Sequence, residues 1–192
     1  MSNILPESLS IPAKTLSGHG ASSGLLQECR RFGARGIILH GAALEKQGRL
    51  DSLMAAMPGD MSVRALRHRG GEPTLHEVSD VILAARHHQA DWIAAAGGGS
   101  IIDLAKAAAA LVNAPHPPAH YHDGEPLDEP GLALIAVPTT AGTGAEATLN
   151  AVLTNEATGA KKSIRAPGMM ASVVILDPGL LNGCPKTSLV PQ

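Results

Sequence analysis

Two stretches of this sequence have the residue types and spacing to bind a phosphate. In the first, residues 91–96 (Asp-Trp-Ile-Ala-Ala-Ala) run into Gly97-Gly98-Gly99-Ser100 and then into an alanine-rich helical pattern that reaches Val112. The pattern predicts a short buried strand over 91–96 and a helix over 100–112. Ser100 is placed as the N-cap, with Asp103 three residues on completing a capping-box-like pair. Glycines between strand and helix can take positive φ and bring bare backbone close to a ligand. The helix start adds free N–H groups and the positive end of the dipole, which together favour a phosphate. In the second stretch, an apolar strand over 132–137 is closed by Pro138 and followed by Thr139-Thr140-Ala141-Gly142-Thr143-Gly144-Ala145-Glu146. Small hydroxyl residues and glycines suit phosphate and ribose oxygens. Either loop alone could be a tight turn without a ligand; the pair argues for one.

The elements that must hold these loops follow from the rest of the pattern. Strands are expected over 11–17, 36–40, 61–66 and 171–176, with helical stretches over 23–31, 42–47 and 50–57. Thr74, with Glu77 three residues later, can cap a long helix to Gln89. Residues 148–154 and 161–165 read as a hairpin, whose Lys161 or Lys162 could reach an anion or simply solvate an edge. Alternating strands and helices predict an α/β fold, a doubly wound, mostly parallel Rossmann-like sheet with a β-hairpin. Ligands in such sheets sit at the carboxyl ends of strands, where both loops fall. An earlier loop, Gly18 to Gly24, misses the GxGxxG spacing by one residue and reads as a plain glycine turn. Residues 114–130, rich in proline, histidine and acid, read as a surface loop. His116, His120, His122 and Asp123 lie there, but two prolines break any regular ligand spacing, so no metal site is expected.

Composition narrows the function. The 192 residues suffice for one sizeable domain, and a net charge of −2 offers no electrostatic case for nucleic acid or an anionic membrane. Phe32, Trp92 and Tyr121 are the only aromatics, too few for base-stacking platforms. The core must be built from Ala, Val, Ile and Leu. Cys29 and Cys184 are isolated, which suggests a reducing compartment. No signal-peptide pattern and no membrane-spanning run is visible, so a cytoplasmic location is expected.

Taken together, Gly97-Gly-Gly-Ser-Ile-Ile-Asp-Leu-Ala-Lys106 and Pro138-Thr-Thr-Ala-Gly-Thr-Gly-Ala-Glu146 resemble the two signature motifs of the iron-containing (group III) alcohol dehydrogenase family. Supporting matches are Gly18-x-Gly20-Ala21, Glu72-Pro73-Thr74, Ala151 to Thr154, Lys161 and Ile175-Leu176-Asp177-Pro178. The resemblance implies a nicotinamide cofactor, a divalent metal (iron or zinc) and oxidation of alcohols or reduction of aldehydes and ketones. It implies that Gly97, Gly98, Gly99 and Ser100 hold the pyrophosphate, and that Thr139, Thr140 and Thr143 line the adenosine and ribose side. Thr148, Asn150 and Lys161 would approach the nicotinamide half. Asp103 and Lys106 match the motif, with a structural role expected for both: Asp103 capping the helix, Lys106 lying along it.

Two departures from the family pattern matter. Where the family often has an aspartate after the second strand, this sequence has Gly41, preceded by His40. A carboxylate there binds the adenine ribose 2′-OH and repels a 2′-phosphate, so its loss admits NADP as well as NAD, with Lys46 nearby to help. In the family a helical domain carrying an aspartate and three histidines for the metal follows the segment matched by Cys184 to Gln192. The resemblance therefore implies that this chain supplies the dinucleotide-binding half, over 1–192, and assigns it no catalytic or metal-binding residue. The expected function is NAD(P)-dependent oxidoreduction of a small alcohol or aldehyde. The alternative is a non-catalytic nucleotide-binding or interaction protein derived from a truncated dehydrogenase. Apolar residues such as Leu176, Leu180 and Leu181, exposed in a lone half, predict homo-oligomerisation or association through the open cleft.

Overall fold

In the computed structural model, residues 10–181 are described; Cys184 and the segment beyond it lie outside them. Six parallel strands form one sheet in the order β1-β8-β5-β4-β2-β3. Its centre is β2 (Arg35–His40), β4 (Trp92–Gly97) and β5 (Ala133–Pro138). β4 is buried along its whole length and its two neighbours almost so. These are the continuous apolar runs of the sequence, and a strand covered on both faces has no reason to alternate. The edge strands β1 (Lys14–Ser17) and β3 (Ser62–Arg67) do alternate, because one face or edge of each meets water. β8 (Val173–Leu176) lies between β1 and β5.

Side chains of alternate parity feed two cores. On one face Ile38, Trp92, Ala94, Ile135 and Ile175 pack under α1 (Leu25–Arg30), α2 (Ala42–Lys46) and α3 (Arg49–Ala55). On the other, Ile37, Leu39, Ile93, Ala95 and Leu134 pack under α4 (Leu75–His88) and α5 (Gly99–Leu111). From Ile101 to Leu111 only Asp103 escapes full burial, so α5 is apolar almost all round. Its alanines allow close approach on several sides at once, and a fully buried Ile102 adds roughly 1.5–3 kcal/mol by leaving water. The antiparallel hairpin β6 (Asn150–Thr154) and β7 (Lys161–Arg165) lies against α5, with Thr154 bridged to Thr74 at the start of α4.

The expected strands and α-helices appear within about three residues of expectation, the first strand starting at Lys14 and not Ile11, and one α-helix was not expected. Inside 114–130 the chain forms α6 (Pro118–His122), which buries Tyr121 and His122. Pro118 opens this helix at a position where its missing N–H costs nothing. Leu180 is buried rather than exposed, and Leu181 is half-buried; among the described residues the large exposed apolar side chains are Ile11, Leu83 and Leu176. No helix among the described residues is long and apolar enough to cross a membrane.

Candidate nucleotide-binding site

Strand additions run outward from β2 to β3 in one direction and from β4 through β5 to β8 in the other. The order reverses between β2 and β4, and the crevice at that switch point opens at their carboxyl ends, beside Gly41 and Gly97. Strand β4 passes directly into α5. Gly98 is the N-cap, extended at φ −77 and ψ −177, and no side chain caps the helix. This corrects two expectations. Ser100 sits inside the first turn, and Asp103 accepts instead from the Val152 N–H at 3.1 Å, across to the hairpin. None of Gly97, Gly98 and Gly99 has positive φ. Their lack of a side chain serves close approach: a Cβ on Gly98 would stand 3.3 Å from Thr140 Oγ1, and one on Gly99 3.0 Å from Thr143. Positive φ belongs to the second loop, at Gly142 and Gly144.

The two glycine loops therefore meet. The Thr139 N–H donates to the Gly97 carbonyl at 2.9 Å, extending the β4–β5 ladder by one step, and Thr140 and Thr143 lean over the first loop. A cleft of about 310 Å³ opens beside the contact, lined by Gly99, Ser100, Thr143, Thr148, Asn150 and Lys161. These come from four separate parts of the chain, and the fold brings them to one hollow. A second cleft, of about 390 Å³, lies across the Thr140–Glu146 loop toward Leu176 and Leu181. Thr140 lines that one. Gly97 and Gly98 form the floor between strand and helix. A larger groove, about 780 Å³, lies under α1 and α3 and reaches the ends of β4 and β5 at Ala96 and Val137; leucines line it together with Gly20, Ser22 and Asp177, and its Arg30 and Arg49 are engaged with Asp60 and the Gly179 carbonyl. That groove is mainly apolar, whereas hydroxyl, amide and lysine side chains converge beside the two glycine loops, and the candidate site is placed there.

Several side chains have partners that local pattern could not reveal. Lys106, expected to lie along the helix in a structural role, is completely buried, and its Nζ reaches out to donate to Thr148 Oγ1 at 2.7 Å and to the Asn150 carbonyl at 3.1 Å. Burial lowers its pKa to about 8, against the opposing pull of the Asp103 and Glu146 carboxylates. Burial likewise raises the Asp103 pKa, against its bond from Val152 and the charge of Lys106. The Thr148 hydroxyl donates in turn to the Ala145 carbonyl at 3.2 Å, so it is held from both sides. Lys161 forms an exposed ion pair with Glu72 at 2.8 Å across the mouth of the smaller cleft. Gly41 is the N-cap of α2, again without a side-chain cap, and a Cβ there would lie 2.9 Å from the terminal methyl of Ile101 in α5. Asp177, buried at the end of β8, accepts from the Gly20, Ser22 and Gly179 N–H groups and from the Ser22 hydroxyl, tying the first glycine loop to the end of the sheet.

The family pattern matches residues 12–178 of this chain as iron-containing alcohol dehydrogenase. The chain belongs to that family. It is 30% identical over 185 residues to the probable alcohol dehydrogenase EutG of Escherichia coli, a match covering 94% of this chain and 46% of that protein. It is 32% identical over 174 residues to sulfoacetaldehyde reductase of Bilophila wadsworthia, covering 90% and 45%. Among solved structures, sulfoacetaldehyde reductase of Bifidobacterium kashiwanohense in complex with NAD+ superposes with a TM-score of 0.88 at 30% identity, covering 96% of this chain and 49% of that one. The chain thus spans about half the length of the relatives it matches. The α/β fold with its parallel sheet agrees with this membership.

Membership implies a metal as well as a cofactor, and the two fare differently here. The bare Gly98 and Gly99 backbone, roofed by threonines at the uncapped start of α5, suits a pyrophosphate. No group of three or more His, Cys, Asp or Glu among the described residues could hold a metal ion. In the histidine-rich segment, His122 is buried with Nε2 on the Leu153 carbonyl, and His116 stacks on His120 at 5.0 Å. The described residues do not fit a metal centre.

Proposed function

We propose that this chain binds a nicotinamide dinucleotide over the carboxyl ends of β2, β4 and β5, and serves hydride transfer between that cofactor and a small alcohol or aldehyde. The observation that carries this reading is the convergence of Gly99, Ser100, Thr143, Thr148, Asn150 and Lys161 on one cleft at the uncapped start of α5. The Gly97–Ser100 turn presents its backbone N–H groups to the pyrophosphate. Thr139, Thr140 and Thr143 stand on the adenosine and ribose side; Thr148, Asn150 and Lys161 stand toward the nicotinamide half. The exposed Glu72 partner of Lys161 binds it weakly, so Lys161 is free to exchange it for a ligand oxygen. The nicotinamide, when bound, supplies the hydride; this chain's residues bind and orient it. The described residues lack a metal donor set, so the groups that activate the alcohol lie beyond them.

The dinucleotide-bound relative supports NAD. The absent carboxylate at Gly41 admits a 2′-phosphate as well, and we read the site as accepting NADP. The experiment is calorimetric titration of the 192-residue chain with NADH and NADPH in metal-free buffer. Binding of NADPH at least as tight as NADH is expected; a clear preference for NADH overturns the Gly41 argument, and binding of neither overturns the site.

A second reading, binding without turnover, is favoured by the same lack of metal donors. It predicts that this chain alone binds NADH and does not reduce NAD(P) on addition of alcohol; turnover by this chain alone would exclude it. Association through the open cleft, where Leu176 is exposed, predicts self-association visible by light scattering at high concentration, and a clean monomer contradicts it.

A further inference from the structure

Helix α5 does two things at once. Its first turn forms the floor of the dinucleotide cleft, and one and two turns later its side chains grip the hairpin that forms the opposite wall. The grip is specific. In strand β6 alternate residues point toward β7 or away from it, and Asn150, Val152 and Thr154 turn their backbone groups away. That leaves an open strand edge, and such edges must be satisfied or covered. Here Lys106 donates to the Asn150 carbonyl, Asp103 accepts from the Val152 N–H, and the Thr154 N–H donates to the Pro73 carbonyl at 2.9 Å. Three residues apart on a helix, Asp103 and Lys106 share one face, so the two bonds set both the height and the register of β6.

A lysine with no exposure is a costly way to fill this space. An apolar residue of equal length would pack as well without burying a charge. What Lys106 alone provides is a donor long enough to reach the Thr148 hydroxyl and the Asn150 carbonyl together. Both belong to the candidate nicotinamide-side wall. The Asp103 and Glu146 carboxylates oppose the effect of burial, so that with a pKa of about 8 the amine still holds its proton at neutral pH, which strengthens both bonds.

We propose that Lys106 and Asp103 are positioning residues: from a single helix they register the β6–β7 wall, with Thr148, Asn150 and Lys161, against the Gly97–Ser100 pyrophosphate floor. The inference rests on the nucleotide-binding reading above and assigns neither residue a contact with the cofactor. Sealing a strand edge for stability alone would be the plainer role. The two differ in what they do to the halves of the ligand. ADP engages the floor and the adenosine side; NADH needs the hairpin wall as well.

The test is calorimetric titration of the full chain with ADP and with NADH, for the wild type and Lys106→Met, alongside thermal melting. Loss of registration is expected to weaken NADH binding about tenfold, the equivalent of roughly one hydrogen bond, while ADP changes less than about twofold. Should Lys106→Met fail to fold, Asp103→Ala, which keeps both Lys106 bonds, carries the same comparison. Equal losses for the two ligands, or unchanged NADH affinity in a variant with a lowered melting temperature, would reduce the pair to a structural seal and overturn the proposal. A wild-type chain that binds neither ligand would instead overturn the nucleotide-binding reading, and the proposal with it.

Discussion

Two helices of this fold, α4 and α5, follow strands of the same sheet and cover the same face, yet they begin in opposite ways. Thr74 seals α4: its hydroxyl accepts from the Glu77 N–H at 3.2 Å, and Glu77 returns the bond from the Thr74 N–H at 3.1 Å. Glu77 also faces His68 Nδ1 at 3.2 Å, fastening the helix start to the end of β3. Helix α5 begins on glycines, with no side chain at its cap. A sealed start satisfies the first-turn N–H groups within the chain; a bare start keeps them for a ligand. On the proposed reading, the contrast separates a helix start closed for stability from one left open for a ligand. The start of α2 at Gly41 is likewise uncapped and adjacent to α5.

The comparison can be broken most directly at Gly98. Gly98→Asp puts a carboxylate where the pyrophosphate is expected, and like-charge contact costing several kcal/mol predicts at least about a hundredfold loss of NADH affinity with the fold retained. Unchanged binding would remove the bare start from the site. Next in size is Gly41→Asp. A terminal methyl of Ile101 can swing aside to admit the new side chain, and repulsion of the 2′-phosphate should weaken NADPH about tenfold relative to NADH. If the NADPH-to-NADH ratio stays put, the adenine ribose lies elsewhere.

Lys106 sharpens the contrast through pH. Its ordinary pKa of 10.5 falls to about 8 on folding, so between these values the unfolded chain holds more protons. Stability should then rise with pH over that window, by at most about 1.4 kcal/mol per pH unit, as the buried charge is discharged. Urea unfolding at pH 8 and pH 10 should show this rise in the wild type relative to Lys106→Met, and parallel curves would contradict it. The capping contrast itself gives the smallest effects. Thr74→Ala should cost about 1 kcal/mol and leave NADH affinity unchanged, whereas Ser100→Ala, away from any cap, should stay within about 0.5 kcal/mol. Equal costs in the two variants would mean that Ser100 caps α5 after all.

Much of this molecule was readable before its structure. Strands β2, β4 and β5 announce themselves as unbroken apolar runs, and Thr74 with Glu77 marks the start of α4, because these signals are local and periodic. Both glycine loops were placed correctly at strand ends for the same reason. The errors share a cause of another kind. Ser100 and Asp103 have the spacing of a capping box, but the Asp103 carboxylate is taken by Val152, 49 positions along the chain. Lys106 was expected to lie along its own helix, and only the packed hairpin supplies the Thr148 and Asn150 partners that its amine reaches. Pro117 and Pro118 look like breakers, yet the second of them starts α6.

The sequence by itself determined the fold class, the family and the two glycine loops at the ends of β4 and β5, since hydropathy period and glycine spacing act within one strand–turn–helix unit. Tertiary structure alone decided that the loops interlock through Thr140 and Thr143. It also decided that Glu72 meets Lys161 and that α5 holds the hairpin through Asp103 and Lys106. Those pairings join residues tens of positions apart, and their energy depends on burial and approach that exist only once the sheet, α5 and the hairpin have packed together.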